Sequence, residues 1–571
     1  MEQSRLYKLP RFSWRQPVTI PRLDHGRSER SVFGFDTEYD SQTGELLSVQ
    51  LYRDDCEIFQ PVPRGFEMTY DNLRALIPKY RAPFLVAFFS LADISKLSDW
   101  WKAKLSDTGL SMLMAEYGDM TIFDVSTFWS SDRTFSLAKL GKLIGIPKMA
   151  YDRTTISRKN LSDPSFREYA LNDARICYHA YELFLRETVW RLFALDILHY
   201  RSSPTITSQI FRRRLKYPIA CPESNIRALA LRSYWGGRSE VYATGVYRGT
   251  LTEVDANSEY PRSAIALGPL PNGDDWERGG NWKEYIDGFA EILFAYPKGW
   301  QGFYALPSLI RGALYWRESG HSFCTLSEIR TALRYCPSLS ISFRQVAGYR
   351  RASRTELAEY LSELLTRKDA STGPDRYVYK LLANSLIGKL AQNRTVRYTG
   401  RHIQRAMFLN IPPEWLPDRG ESRIATGACY WPEAAALILG KARAVLFEAM
   451  EHYGKDRVLL CSTDSIIYAG LPENFLVDKI PFEVQATGDE LTIWREKVYA
   501  LQKDGKTVKV AHHALPSRAF VKDGRLILNA SDSHVKVETK EFVKLSRAAS
   551  GLQFGAAITR NKTVGLRPSK W

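Results

Sequence analysis

Cysteine is scarce in this chain: seven in 571 residues, at positions 56, 177, 221, 324, 336, 429 and 461, with no Cys-x-x-Cys pair. That scatter argues against a zinc site and against a disulfide framework, so a reducing, cytoplasmic setting is expected, with an organelle as the alternative. No apolar stretch approaches the roughly eighteen residues that a spanning helix needs, so no membrane partner is expected. Internal repeats and low-complexity tracts are missing as well, which disfavours a solenoid or an array. Acidic residues are in deficit, 63 against 79 Lys and Arg, for a formal charge of +16. The balance favours a polyanionic partner through phosphate contacts and counterion release, and a ribosome-associated or membrane-surface protein would share it.

What is present is a globular composition, 44% hydrophobic, over a length that predicts three to five structural units. Residues 1–30 mix Arg5, Lys8, Arg11, Arg15, Arg22, Arg27 and Arg30 with Pro10, Pro17 and Pro21. They lack the apolar core of a secretory signal and read as a DNA-contacting arm or a plain disordered tail.

Two segments about two hundred residues apart carry most of the information. Leu251 to Val254 lead into Asp255, and Asp255-Ala-Asn-Ser-Glu-Tyr-Pro261 follows; Val458 to Cys461 lead into Ser462-Thr-Asp464-Ser465, and Ile466 to Tyr468 lead out. Each sets one carboxylate where an apolar strand breaks. Two carboxylates brought together repel unless cations sit between them, and paired divalent metals in phosphoryl transfer are the usual reason. Between the segments, Ser353-Arg-Thr-Glu356 predicts a capping box opening a helix with Leu357, Tyr360, Leu361, Leu364 and Leu365 on one stripe. Thr372-Gly-Pro-Asp375 turns the chain into a second helix, Asp375 to Gln392, on which Lys380, Asn384 and Ile387 share a face. Lys368 and Lys380 then face one space, suited to a triphosphate; two solvated lysines on a helical hairpin would give the same pattern.

The amino-terminal third holds a second set of acids. Val32-Phe-Gly-Phe-Asp36-Thr-Glu38 predicts an apolar strand with two carboxylates on one face, and the strand Phe84 to Phe89 precedes Asp93. Tyr169 and Asp173 lie four apart near the start of a helix. Four acids and a tyrosine can surround two metals and a water, although surface acids at strand ends would look alike.

The motifs, taken together and in this order, resemble those of the family B DNA polymerases. Asp255 to Pro261 is similar to motif A, Lys380 to Gly388 to motif B, and Ser462 to Ser465 to motif C. Tyr234-Trp-Gly236-Gly237 resembles the Tyr-x-Gly-Gly junction, and Lys497-Val-Tyr499 the primer-holding Lys-x-Tyr. The resemblance implies a mixed α/β and α+β multidomain chain: a ribonuclease H-like 3′–5′ exonuclease domain, then a right-hand polymerase with palm, fingers and thumb. It implies that Asp255 and Asp464 ligate two Mg²⁺, with Mn²⁺ the alternative. Lys368 and Lys380 would neutralise the incoming dNTP, with Ala256, Tyr260 and Asn384 shaping its pocket and Tyr260 excluding a 2′-hydroxyl. Tyr234, Gly236, Gly237, Lys497 and Tyr499 would contact DNA and primer. In the exonuclease, Asp36, Glu38, Asp93 and Asp173 would hold two further metals, Tyr169 would orient the water, and Lys148 would support catalysis. Ser136 to Gly145 looks like the helix before the third exonuclease motif.

Four motifs depart from the pattern, at five positions. Motif C has Ser462 for its first acid, which predicts reduced but real activity; motif B has Ile387 for its tyrosine; motif A has Glu259 where an apolar residue is usual; and the second exonuclease motif has Phe89 and Ala92 for Asn and an aromatic.

The implied division is 1–30 basic arm, 31–190 exonuclease, 191–262 palm, 263–350 insertion, 351–392 fingers, 393–430 second insertion, 431–520 palm and 521–571 thumb. The basic residues Arg560, Lys562, Arg567 and Lys570 fall in the last. The insertions resemble those of the protein-primed subclass of bacteriophages and linear plasmids, in which a terminal protein supplies the primer; conventional priming is the alternative. A monomer is expected. Two rival readings are a nuclease with a weakened polymerase, from Ser462, and a non-catalytic DNA-binding protein, which the survival of all six acids opposes. His512 and His513 are read as ordinary polar residues.

Overall fold

The computed structural model describes residues 28–107, 112–129, 135–200, 202–310, 313–397, 422–427, 429–512, 519–529, 531–542 and 557–566. The expected arm lies outside these except for Ser28 to Arg30, as do His513, Arg567, Lys570 and the interior of the second insertion.

Val32–Tyr39 opens with an apolar half, Val32 to Phe35, and is buried accordingly, third in a seven-stranded sheet. It runs antiparallel to Leu46–Arg53 and parallel to Phe84–Ala87, which in turn runs parallel to Met120–Asp124. Cys56–Pro61 and Lys104–Asp107 form the two edges. Helix Pro164–Tyr178 starts with Asp163 capping the Ser165 amide and proline in its first turn, and it lies directly on the central strand. Gly34 permits that approach, because a Cβ there would sit 1.8 Å from the Ala174 carbonyl oxygen. Gly34→Ala is therefore expected to cost about 1–3 kcal/mol or more, as overpacking does, read as a lower urea midpoint. An unchanged midpoint would mean that the helix is free to shift.

A second sheet is built from sequence-distant strands in the order Lys506–His512, Val498–Lys503, Ile480–Arg495, Gly245–Ala256, Ser465–Ala469, Val458–Thr463, Arg238–Val241, with Phe475–Val477 pairing Ile480–Arg495 off this path. Helix Pro432–Tyr453 is apolar around most of its circumference and is buried to match. Its two charged core residues are paired: Glu433 with Arg227 at 2.6 Å, and Arg443 with Glu328 at 2.8 and 3.0 Å. Arg443 also donates to the carbonyls of Trp235 and Gly236. Glu328 opens helix Leu326–Tyr335 through a capping box with Thr325. That helix belongs to a four-stranded antiparallel sheet, Trp276–Arg278, Ser340–Tyr349, Asp287–Ala295 and Ser319–Thr325, within the predicted insertion 263–350. One arginine thus ties the insertion, the Tyr234–Gly237 segment and the long helix together.

The helical hairpin forms as Glu356–Ala370 and Gly373–Leu390. The capping box predicted at Ser353 to Glu356 does not. Thr355 is the N-cap with helical backbone angles and no side-chain bond, while Glu356 turns to the Arg354 guanidinium and the Lys216 amide. A buried arginine out-competes the free amide for that carboxylate. Of the second insertion, the hairpin Asn393–Arg397 with Ser422–Thr426 is described. Of the predicted thumb, the hairpins Val521–Lys522 with Arg525–Leu526 and His534–Phe542 with Ala557–Gly565 are described. Among the described residues no helix is long and apolar enough to cross a membrane.

Candidate active sites

The two acids of the central sheet meet. Strand register places Ser465 opposite Asp255, and the Ala256 amide donates to the Asp464 carbonyl at 2.8 Å. Asp464 occupies a one-residue turn between two strands, closed by its own amide on the Ser462 carbonyl at 2.8 Å, with Thr463 at φ +64°. Such backbone strain gathers at functional sites. Burial, then the neighbouring Asp464 charge, pushes the Asp255 carboxyl up to about 7, against the pull of Lys509 and Lys380. Burial raises Asp464 as well, with Lys509 and Lys380 opposing.

Lys380 and Asn384 are exposed one turn apart on their helix, and Ile387 is buried beneath them. Lys368 is buried and donates to Asn257 Oδ1 and Ser258 Oγ, both at 2.9 Å. In this structure it braces the turn after Asp255, where Ser258 has φ +53°. Tyr260 follows on helix Glu259–Leu267, and a Cβ on Gly237 would lie 3.0 Å from its hydroxyl and 2.8 Å from Thr463 Cγ2. The Tyr234–Gly237 segment therefore presses on both acid-bearing turns. Glu259 is fully buried, and burial holds its carboxyl well above the usual range. Of the Lys497–Tyr499 pair, Lys497 is exposed in a hairpin turn at φ +58°, whereas Tyr499 is buried with its hydroxyl on Glu253 at 3.0 Å.

In the amino-terminal sheet, carboxylate oxygens of Asp36, Glu38 and Asp173 all lie within 4.8 Å of one another. The Gly34 contact is what sets Asp173 over the strand. Lys148 pairs with Asp173 and sits 5.3 Å over the Tyr169 ring, which stacks on Tyr151 at 4.8 Å. Asp93 approaches on the short helix Ser90–Ile94, its Oδ1 accepting from the Thr37 amide and hydroxyl at 3.0 and 2.7 Å. Burial and the charges of Asp173, Asp93 and Glu38 hold Asp36 well above the usual carboxylate range.

Acids raised in the folded state bind protons that the unfolded chain has already released. Folding stability without metal is therefore expected to fall as pH rises from about 4 towards 7, and to level off above the folded values. A divalent cation should reverse this, giving a larger rise in melting temperature at pH 8 than at pH 5.5. An equal rise at both pH values would contradict a carboxylate metal site.

No protein-family model matches the chain. Phi29 DNA polymerase complexed with primer-template DNA and incoming nucleotide substrates superposes with a TM-score of 0.66 at 15% identity, covering 95% of this chain and 100% of that one. The fold is that of phi29 DNA polymerase. Its orthorhombic crystal form gives a TM-score of 0.64 at 14% identity, over 94% and 100% of the two chains. In sequence, the DNA-directed DNA polymerase of Enterobacteria phage PRD1 is 26% identical over 296 residues, 49% of this chain and 51% of that protein. The match spans about half the length of that curated relative.

Within the phi29 polymerase fold, several residues at the sites were not singled out from sequence. Arg443 and Asn257 act through partners distant in the chain, which no local pattern reveals. Glu253 was within reach: at two residues before Asp255 it shares a strand face with it, and a charged residue inside an apolar strand is a signal.

Proposed function

We propose that the protein is a template-directed DNA polymerase carrying a 3′–5′ exonuclease, with DNA template, primer and dNTPs as partners. The convergence of Asp255 and Asp464 on adjoining strands is the observation that carries this reading. Both acid sets suit divalent cations, since hard carboxylate oxygens are the donors for Mg²⁺ or Mn²⁺ and the acids repel one another without one. Asp255 and Asp464 would hold the ions of the polymerase centre, and Asp36, Glu38 and Asp173, with Asp93 beside them, those of the exonuclease. The metals supply charge to polarise the phosphoryl group and to favour an oxygen nucleophile.

The chain's own residues do the rest. Lys380 presents a cation from the helical hairpin towards the same two acids, placed to meet a triphosphate. Tyr260, backed by Gly237, walls the site beneath the position of a sugar. Lys148 restrains Asp173 and approaches the Tyr169 face, so that water, carboxylate and tyrosine can be ordered together. The sheet of residues 276–349 offers a surface beyond what the palm needs, which favours a protein primer of the kind the protein-primed subclass uses. The test is extension of a labelled primer on a gapped template: full-length product with Mg²⁺ and none with EDTA is expected. No extension under any divalent ion would overturn the reading.

A further inference from the structure

Resting on the polymerase reading, we propose that Lys509, oriented by Glu253, is the cation that grips the last phosphodiester of the primer beside Asp255 and Asp464. Glu253 lies two residues before Asp255 on one strand, so both side chains leave the same face. Its carboxylate is fully buried; Oε1 accepts from the Tyr499 hydroxyl at 3.0 Å and from Lys509 Nζ at 2.5 Å. Lys509 itself keeps 37% of its side chain exposed. Here the anion is sealed in and the cation is held at the surface.

An ammonium has three donors, and Glu253 engages one. Glu253 shares a strand face with Asp255, so the ammonium on its Oε1 is held beside that acid, whereas Lys497 stands exposed in the hairpin turn before Tyr499. Lys509 arrives from strand Lys506–His512, separated in sheet order from the strand of Asp255 by Ile480–Arg495 and Val498–Lys503. Bulges between Val484 and Ala486 and between Gly488 and Glu490 bend the intervening strand so that the edge can fold back. Lys380 comes from the helical hairpin, a separate layer. Two cations therefore reach one pair of acids from different elements. One is placed for the incoming triphosphate and the other, on the element that leads into the carboxy-terminal segment, for the strand being extended. Lys509 would bind the phosphate directly; Glu253 is a positioning residue.

The experiment measures primer-template affinity with Ca²⁺ in place of Mg²⁺ at fixed salt, using an ordinary primer and one whose last linkage is an uncharged methylphosphonate. For the wild type the methylphosphonate should weaken binding about tenfold, the scale of one charged hydrogen bond. Lys509→Ala should bind the ordinary primer about tenfold more weakly and be indifferent to the methylphosphonate, with an unchanged KM for dNTP. Its salt slope should fall by about one. Lys509→Arg should recover most of the affinity, and Glu253→Gln should lose part of the methylphosphonate effect. A full methylphosphonate penalty persisting in Lys509→Ala would overturn the proposal, as would equal weakening of both primers in Glu253→Gln, which is what a loosened fold would give. If instead the wild type neither binds nor extends primer, the polymerase reading fails rather than this one.

Discussion

Asp464→Asn is expected to slow primer extension about 10³-fold and to leave degradation of single strands intact. The side chain sits in a turn held by the Asp464 amide and the Ser465 hydroxyl on the Ser462 carbonyl and by the Ala256 amide on the Asp464 carbonyl, none of which needs its carboxylate. An isosteric amide therefore preserves the turn and removes only the charge. With Ser462 in place of a further acid, Asp255 has no second carboxylate in motif C to fall back on. Losing a cation's hold on the reacting groups removes several kcal/mol of stabilisation. At 1.36 kcal/mol per factor of ten, a loss of about 4 kcal/mol slows extension about 10³-fold. Extension at near wild-type rates would remove Asp464 from the reaction. Loss of degradation along with extension would mean that the two acid sets are not separate centres.

The second large effect is the converse. Asp36→Ala with Glu38→Ala is expected to lower degradation of a labelled single strand by about 10³-fold or more, on the same arithmetic, and to spare extension. The two side chains leave one face of a central strand, and with Asp173 they form the three-carboxylate group. Removing both leaves Asp173, which is paired with Lys148, and Asp93, whose Oδ1 is taken up by Thr37, too few carboxylates for the metal site. The burial and the mutual repulsion that raise Asp36 also vanish, so the double variant should melt no lower than the wild type at pH 8 without metal. A drop in extension comparable to the drop in degradation would argue that the strand positions the polymerase rather than a nuclease.

Much of this was legible in the sequence where a local pattern carries its own geometry. An apolar run leading into an acid gives a strand with the acid at or near its end, as at Asp255 and Asp464, whereas the strand of Asp36 runs on to Tyr39. Spacing alone puts Lys380, Asn384 and Ile387 on one helical face; the first two are exposed and Ile387 is buried. What escaped depends on contacts that only folding makes. The Ser353–Glu356 pattern fits a capping box, yet Arg354 takes the glutamate. Lys368 fits a phosphate-binding lysine, yet in this structure it reaches Asn257 and Ser258, residues more than a hundred positions earlier. Lys497 and Tyr499 form a familiar pair in sequence, but a hairpin turn sends one to the surface and the other into the core. Asp93 was grouped with the other acids, and the structure adds the Thr37 hydrogen bonds that fix its rotamer. Gly34 shows why side-chain patterns alone are insufficient. Its role is to be absent, so that a helix can deliver Asp173 across the sheet.

The most direct measurement counts bound Mn²⁺ by electron paramagnetic resonance in the Asp36→Ala, Glu38→Ala background, with primer-template and a non-hydrolysable dNTP present. Two ions are expected at the remaining centre, lost or much weakened on adding Asp464→Asn. Two ions held with undiminished affinity after that substitution would contradict it.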